Sequence, residues 1–186
     1  PLPRLELPGG IPAEARTIVV VPTFLTSADA TRELIEELEI QALGNLDPHV
    51  TFALLTDFPD ASAAVMPGED ALLEMAIDGI RGLNKRHVAT GGARFHLFHR
   101  ERRWNPSEGV WMGWERKRGK LPELNRLLRG ATDTTFVAIE GRSEAPLVGT
   151  GMEHITVKAS GAAVVCRRAG TVDSVDSRRV IVRVEA

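Results

Sequence analysis

The sequence predicts an α/β protein, a doubly wound sheet followed by a small β-meander, from three observations. Short β-branched or apolar runs at residues 17–21, 50–55 and 94–98 alternate with two helix-length segments whose apolar residues recur every three or four positions. The runs end at turn chemistry, Pro22 or Thr56-Asp57, as strands do where they feed a loop. After Gly141 the helical periodicity stops, and Gly, Ala, Val and Thr dominate to the end. The expected boundary lies near residues 140–143, separating 1–141 from 142–186.

Residues 1–16 carry four prolines and a Gly-Gly pair and read as an extended lead-in. TIVVV at 17–21 is continuous and apolar, the pattern of a strand buried on both faces of a parallel sheet and ending at Pro22. Ser27 or Asp29 suits the cap of a helix to about Leu43, with Leu34, Ile35, Leu38 and Ala42 on one stripe. VTFALL at 50–55 is the second strand. A helix over 69–85 then turns Leu72, Leu73, Ala76, Ile77 and Ile80 inward, and residues 94–98 form the third strand. Residues 121–128 read as a short helix and 135–139 as a further strand. The later runs, 162–166, 171–175 and 179–184, make the meander.

Ligands of such sheets bind beyond the carboxyl ends of the strands, so Thr23, Asp57 and the loop after Phe98 are expected on one rim. All three tryptophans fall within residues 104–125, WNPSEGVWMGWERKRGKLPELN. Indole faces stack on rings, and Arg116, Lys117, Arg118 and Lys120 set positive charge beside an expected helix N-terminus, which favours an anion. Trp111, Trp114, Arg116 and Arg118 are therefore candidate phosphate or sugar contacts. A packed loop with a solvated basic face fits the same residues, and Asp57 before Pro59 also suits a turn-capping role.

Composition narrows the field further. Net charge is -2 overall, yet residues 99–129 hold nine Arg and Lys against four Glu, so the positive field is local. One cysteine, Cys166, excludes an internal disulfide and a cysteine-based zinc site. His96 and His99 would face opposite sides of one strand, which argues against a metal between them. The apolar runs are too short for a membrane helix, so the chain reads as lacking a membrane segment.

Three blocks carry a resemblance over residues 1 to about 141: EARTIVVVPTFLTS at 14–27, FALLTDFPDA at 52–61 and RRWNPSEGVWMGWERKRGKLPELNRLLRG at 102–130. They resemble the glycosyltransferase domain of bacterial cyclic β-1,2-glucan synthases. The resemblance implies a partial GT-A, Rossmann-like fold and transfer of glucose from UDP-glucose with inversion. It places Thr23 and Asp57 beside the nucleotide and Gly119, Lys120 and Asn125 beside the diphosphate. It also implies Mg²⁺ or Mn²⁺ in the intact family, and a cytoplasmic domain of an inner-membrane enzyme. The chain departs from that pattern: no two aspartates stand two apart, Gln41 is the one glutamine, and no tryptophan follows Trp114. The Asp-x-Asp metal motif, the acceptor motif and the later acidic base are thus missing, and no catalytic residue, metal ligand or retained cofactor is assigned.

Residues 142–186 resemble a segment of the bacterial RNA polymerase β subunit, on PLVGTGME at 146–153 and the pattern SG-VV--RAG-V--VD--R-VIV after it. Two unrelated ancestries in one polypeptide imply a chimera. The expected function is an inactive fragment of a glucosyltransferase that holds UDP or UDP-glucose weakly. A nucleic-acid or subunit-contact module of polymerase origin, and a composite that retains neither function, are the alternatives. A sheet cut short would leave an open edge and favour self-association.

Overall fold

A computed structural model describes residues 10–13, 16–88, 92–141, 170–175 and 180–184. The chain divides into two compact units, Leu7–Thr150 and one that contains Gly151–Ala186. In the first, β1 (Thr17–Phe24), α1 (Ala28–Leu43), β2 (Val50–Asp57), α2 (Glu69–Arg86) and β3 (Phe95–Arg100) alternate as expected. A short hairpin follows, β4 (Arg103–Asn105) and β5 (Val110–Met112), then α3 (Arg116–Leu128) and β6 (Phe136–Glu140). In the second unit β7 (Gly170–Val175) and β8 (Val180–Val184) pair antiparallel, the end of the expected meander. Its first run, 162–166, lies outside the described residues.

The main sheet has the order β1-β2-β3-β6. The first three strands are parallel, with Val19 opposite Phe52 and Phe52 opposite Phe95, and β6 runs antiparallel to β3. Helices cover both faces, as a doubly wound sheet requires. Leu38 and Ala42 of α1 and Ala76, Ile80 and Leu83 of α2 pack on Phe52, Leu54, Phe95 and Leu97. Leu124 and Leu127 of α3 pack on Ala53, Leu55 and Phe98. Alternation along each strand sends neighbouring residues to opposite layers, and each leucine so buried stabilises the fold by about 1.5–3 kcal/mol. The strand order does not reverse among the described residues, because β6 joins the outer side of β3 and leaves β1 as the other edge.

Several local expectations change. TIVVV does not end at Pro22 and is not buried on both faces: β1 continues to Phe24 and is half-buried, because it lies at the sheet edge. Pro22 is tolerated there since an edge strand has one side without ladder bonds to donate. β3 extends to Arg100 rather than ending at Phe98, with its side chains buried throughout. The helix expected over 121–128 starts earlier, at Arg116, so α3 encloses Gly119 and Lys120 together with Pro122. The tryptophan-rich stretch contains the β4–β5 hairpin, in which Trp104 faces Trp111 with ring centroids 5.9 Å apart. Ser27 does cap α1, its hydroxyl accepting from the Ala30 amide at 3.2 Å. Among the described residues no helix is long and apolar enough to cross a membrane.

Candidate functional site at the carboxyl rim

Parallel register puts Thr23 opposite Thr56 and Phe24 opposite Asp57, so the ends of β1 and β2 present Thr23 and Asp57 side by side. Lys120 reaches them from the second turn of α3. Its ammonium donates to the Thr23 carbonyl at 2.7 Å and the Leu55 carbonyl at 3.3 Å, and lies 3.2 Å from Asp57 Oδ2. It also sits 4.8 Å from the centre of the Phe24 ring. Lys120 is 1% exposed, so this cation is an interior strut as well as a charge.

Asp57 takes a second cation that the sequence did not single out. Arg100, at the end of β3, grips it through two parallel bonds, Nε to Oδ1 at 2.9 Å and Nη2 to Oδ2 at 3.0 Å. The same guanidinium donates to Glu123 of α3 at 2.9 Å and to the carbonyls of Trp114 and Arg116. Burial acts to lower the Arg100 pKa, but pairing with Asp57 and Glu123 outweighs it, and the net shift is upward. Gly113 is required against this cluster, since a Cβ there would stand 2.5 Å from Asp57 Oδ2. A buried arginine calls for a paired carboxylate, but with the strand expected to end at Phe98 the sequence carried no sign that Arg100 is buried.

A second buried pair holds the adjoining loop. Arg102 donates to Glu69 at 2.8 Å and to the carbonyls of Pro59 and Ala64, while Glu69 accepts from the Met66 amide. Burial pushes the Glu69 carboxyl up, yet the bonds from Arg102 and Met66 prevail and its pKa falls. Beside it a cavity of about 520 Å³ lies between the end of β1 and the start of α2, lined by Leu25, Thr26, Asp60, Gly68, Leu72 and Arg102 among others. His99 lies behind, its Nδ1 2.8 Å from the Thr56 hydroxyl, and burial holds its pKa down to about 4 against the pull of Asp57.

The structure thus gathers Thr23, Asp57 and Lys120 at one point. Gly119 stands next to Lys120 in α3, where a Cβ would meet the Trp114 carbonyl at 2.1 Å. Asn125 is exposed further along the helix. Arg116 is exposed and tied to Asp60 and Glu108, each at 2.7 Å, and Trp111 is half-buried in β5 with its backbone paired to Ala61. Trp114 and Arg118 are exposed and border a different cavity. The carboxylates of this rim do not fit a divalent ion: Asp57 is shared by Arg100 and Lys120, and Asp60 is paired with Arg116. Among the described residues no three His, Cys, Asp or Glu side chains converge as metal ligands.

Over most of its length the chain is similar to a cyclic β-(1,2)-glucan synthase. The relative is NdvB of Rhizobium meliloti (strain 1021), 46% identical over 150 residues, which is 81% of this chain and 5% of that protein. A second similarity, over about a third of the chain, is to DNA-directed RNA polymerase subunit beta. It reaches 56% identity over 63 residues in Koribacter versatilis and 52% in Solibacter usitatus, each about 4% of the subunit. The two matched lengths together exceed 186 residues, so the similarities share a stretch. This pair of similarities is consistent with a chimera. No family model matches the chain.

Proposed function

We propose that residues 1–141 are the leading, nucleotide-facing part of an inverting GT-A type glucosyltransferase, which holds UDP or UDP-glucose weakly and does not turn it over. One observation supports this most: Thr23, Asp57 and Lys120 converge beyond the carboxyl ends of β1 and β2, in a chain 46% identical to a glucan synthase. An open α/β sheet offers ligands that position, and a lysine poised there supplies the charge that a departing diphosphate needs. An incoming diphosphate would compete with Asp57 for the Lys120 ammonium, which makes the expected affinity low. Turnover needs a divalent metal beside the lysine at the diphosphate and a carboxylate to take the acceptor proton. No Asp-x-Asp occurs, and the rim aspartates are ion-paired already, so neither role has a residue here.

Calorimetric titration of the full chain with UDP, with and without Mg²⁺ or Mn²⁺, tests this reading. Saturable, metal-independent binding that Lys120→Met weakens supports it. A folded protein that takes up no UDP overturns the binding half, and measurable glucose transfer from UDP-glucose overturns the inactive half. The similarity to polymerase β subunits favours a second reading for residues 142–186, a nucleic-acid or subunit contact module. Binding to DNA or RNA that weakens as salt rises supports it, and absence of such binding removes it.

A further inference from the structure

The outer faces of α1 and α3 carry opposite charge, and the main sheet holds the two helices on opposite sides. α1 packs with Phe52 and Leu54, whereas α3 packs with Ala53 and Phe98. On α1, Glu36, Glu37 and Ile40 stand three, four and seven positions after Glu33, so the four share one exposed stripe. None of the three glutamates has an ion pair among the described residues, whereas Asp29 is held by Arg32 and Glu39 by Arg86. Like charges so spaced repel one another, and Arg32 is the one base the helix contains. Ile40 and Leu43 give this face an apolar end, 68% and 55% exposed.

α3 presents the reverse. Arg118, Leu121, Asn125 and Arg129 recur every three or four residues along its exposed face. Arg118 and Arg129 have no ion pair among the described residues, in contrast to Arg116 and Arg126. The one acid of the helix, Glu123, is turned to Arg100. Leu121, 41% exposed, and Trp114 just before the helix, 51% exposed, give this face an apolar end too. At a rise of about 1.5 Å per residue, the apolar end of α1 lies about 10 Å from its glutamates, and Leu121 about 12 Å from Arg129. Laid antiparallel, the two helices bring apolar to apolar and acid to base.

We propose that the chain associates head to tail, α1 of one copy docking antiparallel on α3 of the next. The occupant is a second copy because the same polypeptide supplies both complementary faces, and the sheet between them keeps the two from meeting within one chain. Such a contact is heterologous, so each copy keeps one face open for a further copy unless a ring closes. A single helix-on-helix contact covers less than the roughly 800 Å² per partner of a stable complex, so association is weak and depends on concentration. The inference is independent of any nucleotide at the rim. Sedimentation velocity of the full chain, up to about 0.5 mM, tests it. Mass should rise with concentration at about 0.05 M NaCl and return to the monomer at about 0.5 M, where screening is strong. Glu33→Lys with Glu37→Lys, and separately Arg118→Glu with Arg129→Glu, should each weaken association at least about tenfold by setting like charges face to face. An equal mixture of the two reversed variants should associate again, since each restores the other's complement. If a reversed variant fails to fold by circular dichroism, glutamine at the same positions replaces it and should weaken association in a folded protein. A parent chain that stays monomeric at low salt overturns the proposal. So does association that salt or these substitutions leave unchanged, the outcome expected of pairing along the β1 edge, or a mixture of folded reversed variants that stays monomeric.

Discussion

Under α1 and α2 the sheet is closed by apolar side chains, Leu54, Phe95 and Leu97 meeting Leu38, Ala76 and Ile80, each 1% exposed or less. At the carboxyl rim the closure is ionic: Asp57, Arg100 and Lys120 are equally buried, and each is held by the others or by backbone carbonyls. The first closure tolerates trimming because loss is graded with volume. The second does not, because removing one ion strands its partners in a medium that cannot solvate them. Rigidity at the rim therefore depends on charge complementarity, and that is also where a ligand would have to intervene.

The sharpest way to break this contrast is Asp57→Asn, which removes one charge and keeps the shape. It leaves Arg100 with Glu123 as its one carboxylate and Lys120 with carbonyls, and should cost about 3–5 kcal/mol in urea unfolding. A cost under about 1 kcal/mol would show that the rim is wetter than its burial implies. Leu54→Ala, in the apolar layer, should cost about 2–5 kcal/mol by lost transfer energy and cavity formation.

Acid sharpens the comparison from another side. His96 and His99 are both held down to about 4 by burial, His96 with neither ring nitrogen in a hydrogen bond of good geometry and only a weak opposing pull from the Gly141 backbone. Their folded pKa values lie below the ordinary 6.5, so between about pH 6.5 and 4 the unfolded chain binds protons that the folded chain refuses. Stability should thus be full at pH 7 and fall as pH drops through that window, by on the order of 2 kcal/mol for each histidine at pH 5. Urea midpoints at pH 7.5, 6 and 5 read this directly. A His96→Phe variant that flattens only part of the slope would assign the remainder to His99.

Legibility in the sequence followed the same division. The amphipathic stripes of α1 and α2 and the Ser27 cap were readable, because local spacing and a local hydroxyl determine them. Convergence of Thr23 and Asp57 on one rim was readable too, since parallel strands joined by helices align their carboxyl ends. The start of α3 was not. Gly119 and Pro122 look like helix breakers, but Gly119 is there because the Trp114 carbonyl passes within 2.1 Å of where a Cβ would be. The β4–β5 hairpin was hidden by its three-residue strands, too short to show alternation. The run in β1 announced an apolar strand but not its place, because side chains report the faces of a sheet and say nothing about its lateral edge.

By itself, then, the sequence determined the α/β alternation, the faces that the long helices bury, the two resemblances and the absence of an Asp-x-Asp. Those properties rest on residue type and on spacing along the chain. Tertiary structure alone decided that Lys120 is an interior strut, that Arg100 completes it, and that Trp114 is pinned by its backbone with its ring exposed. These depend on groups 14 to 97 residues apart meeting in space. The pairing energy of buried charges appears only when desolvation forces each to find its partner.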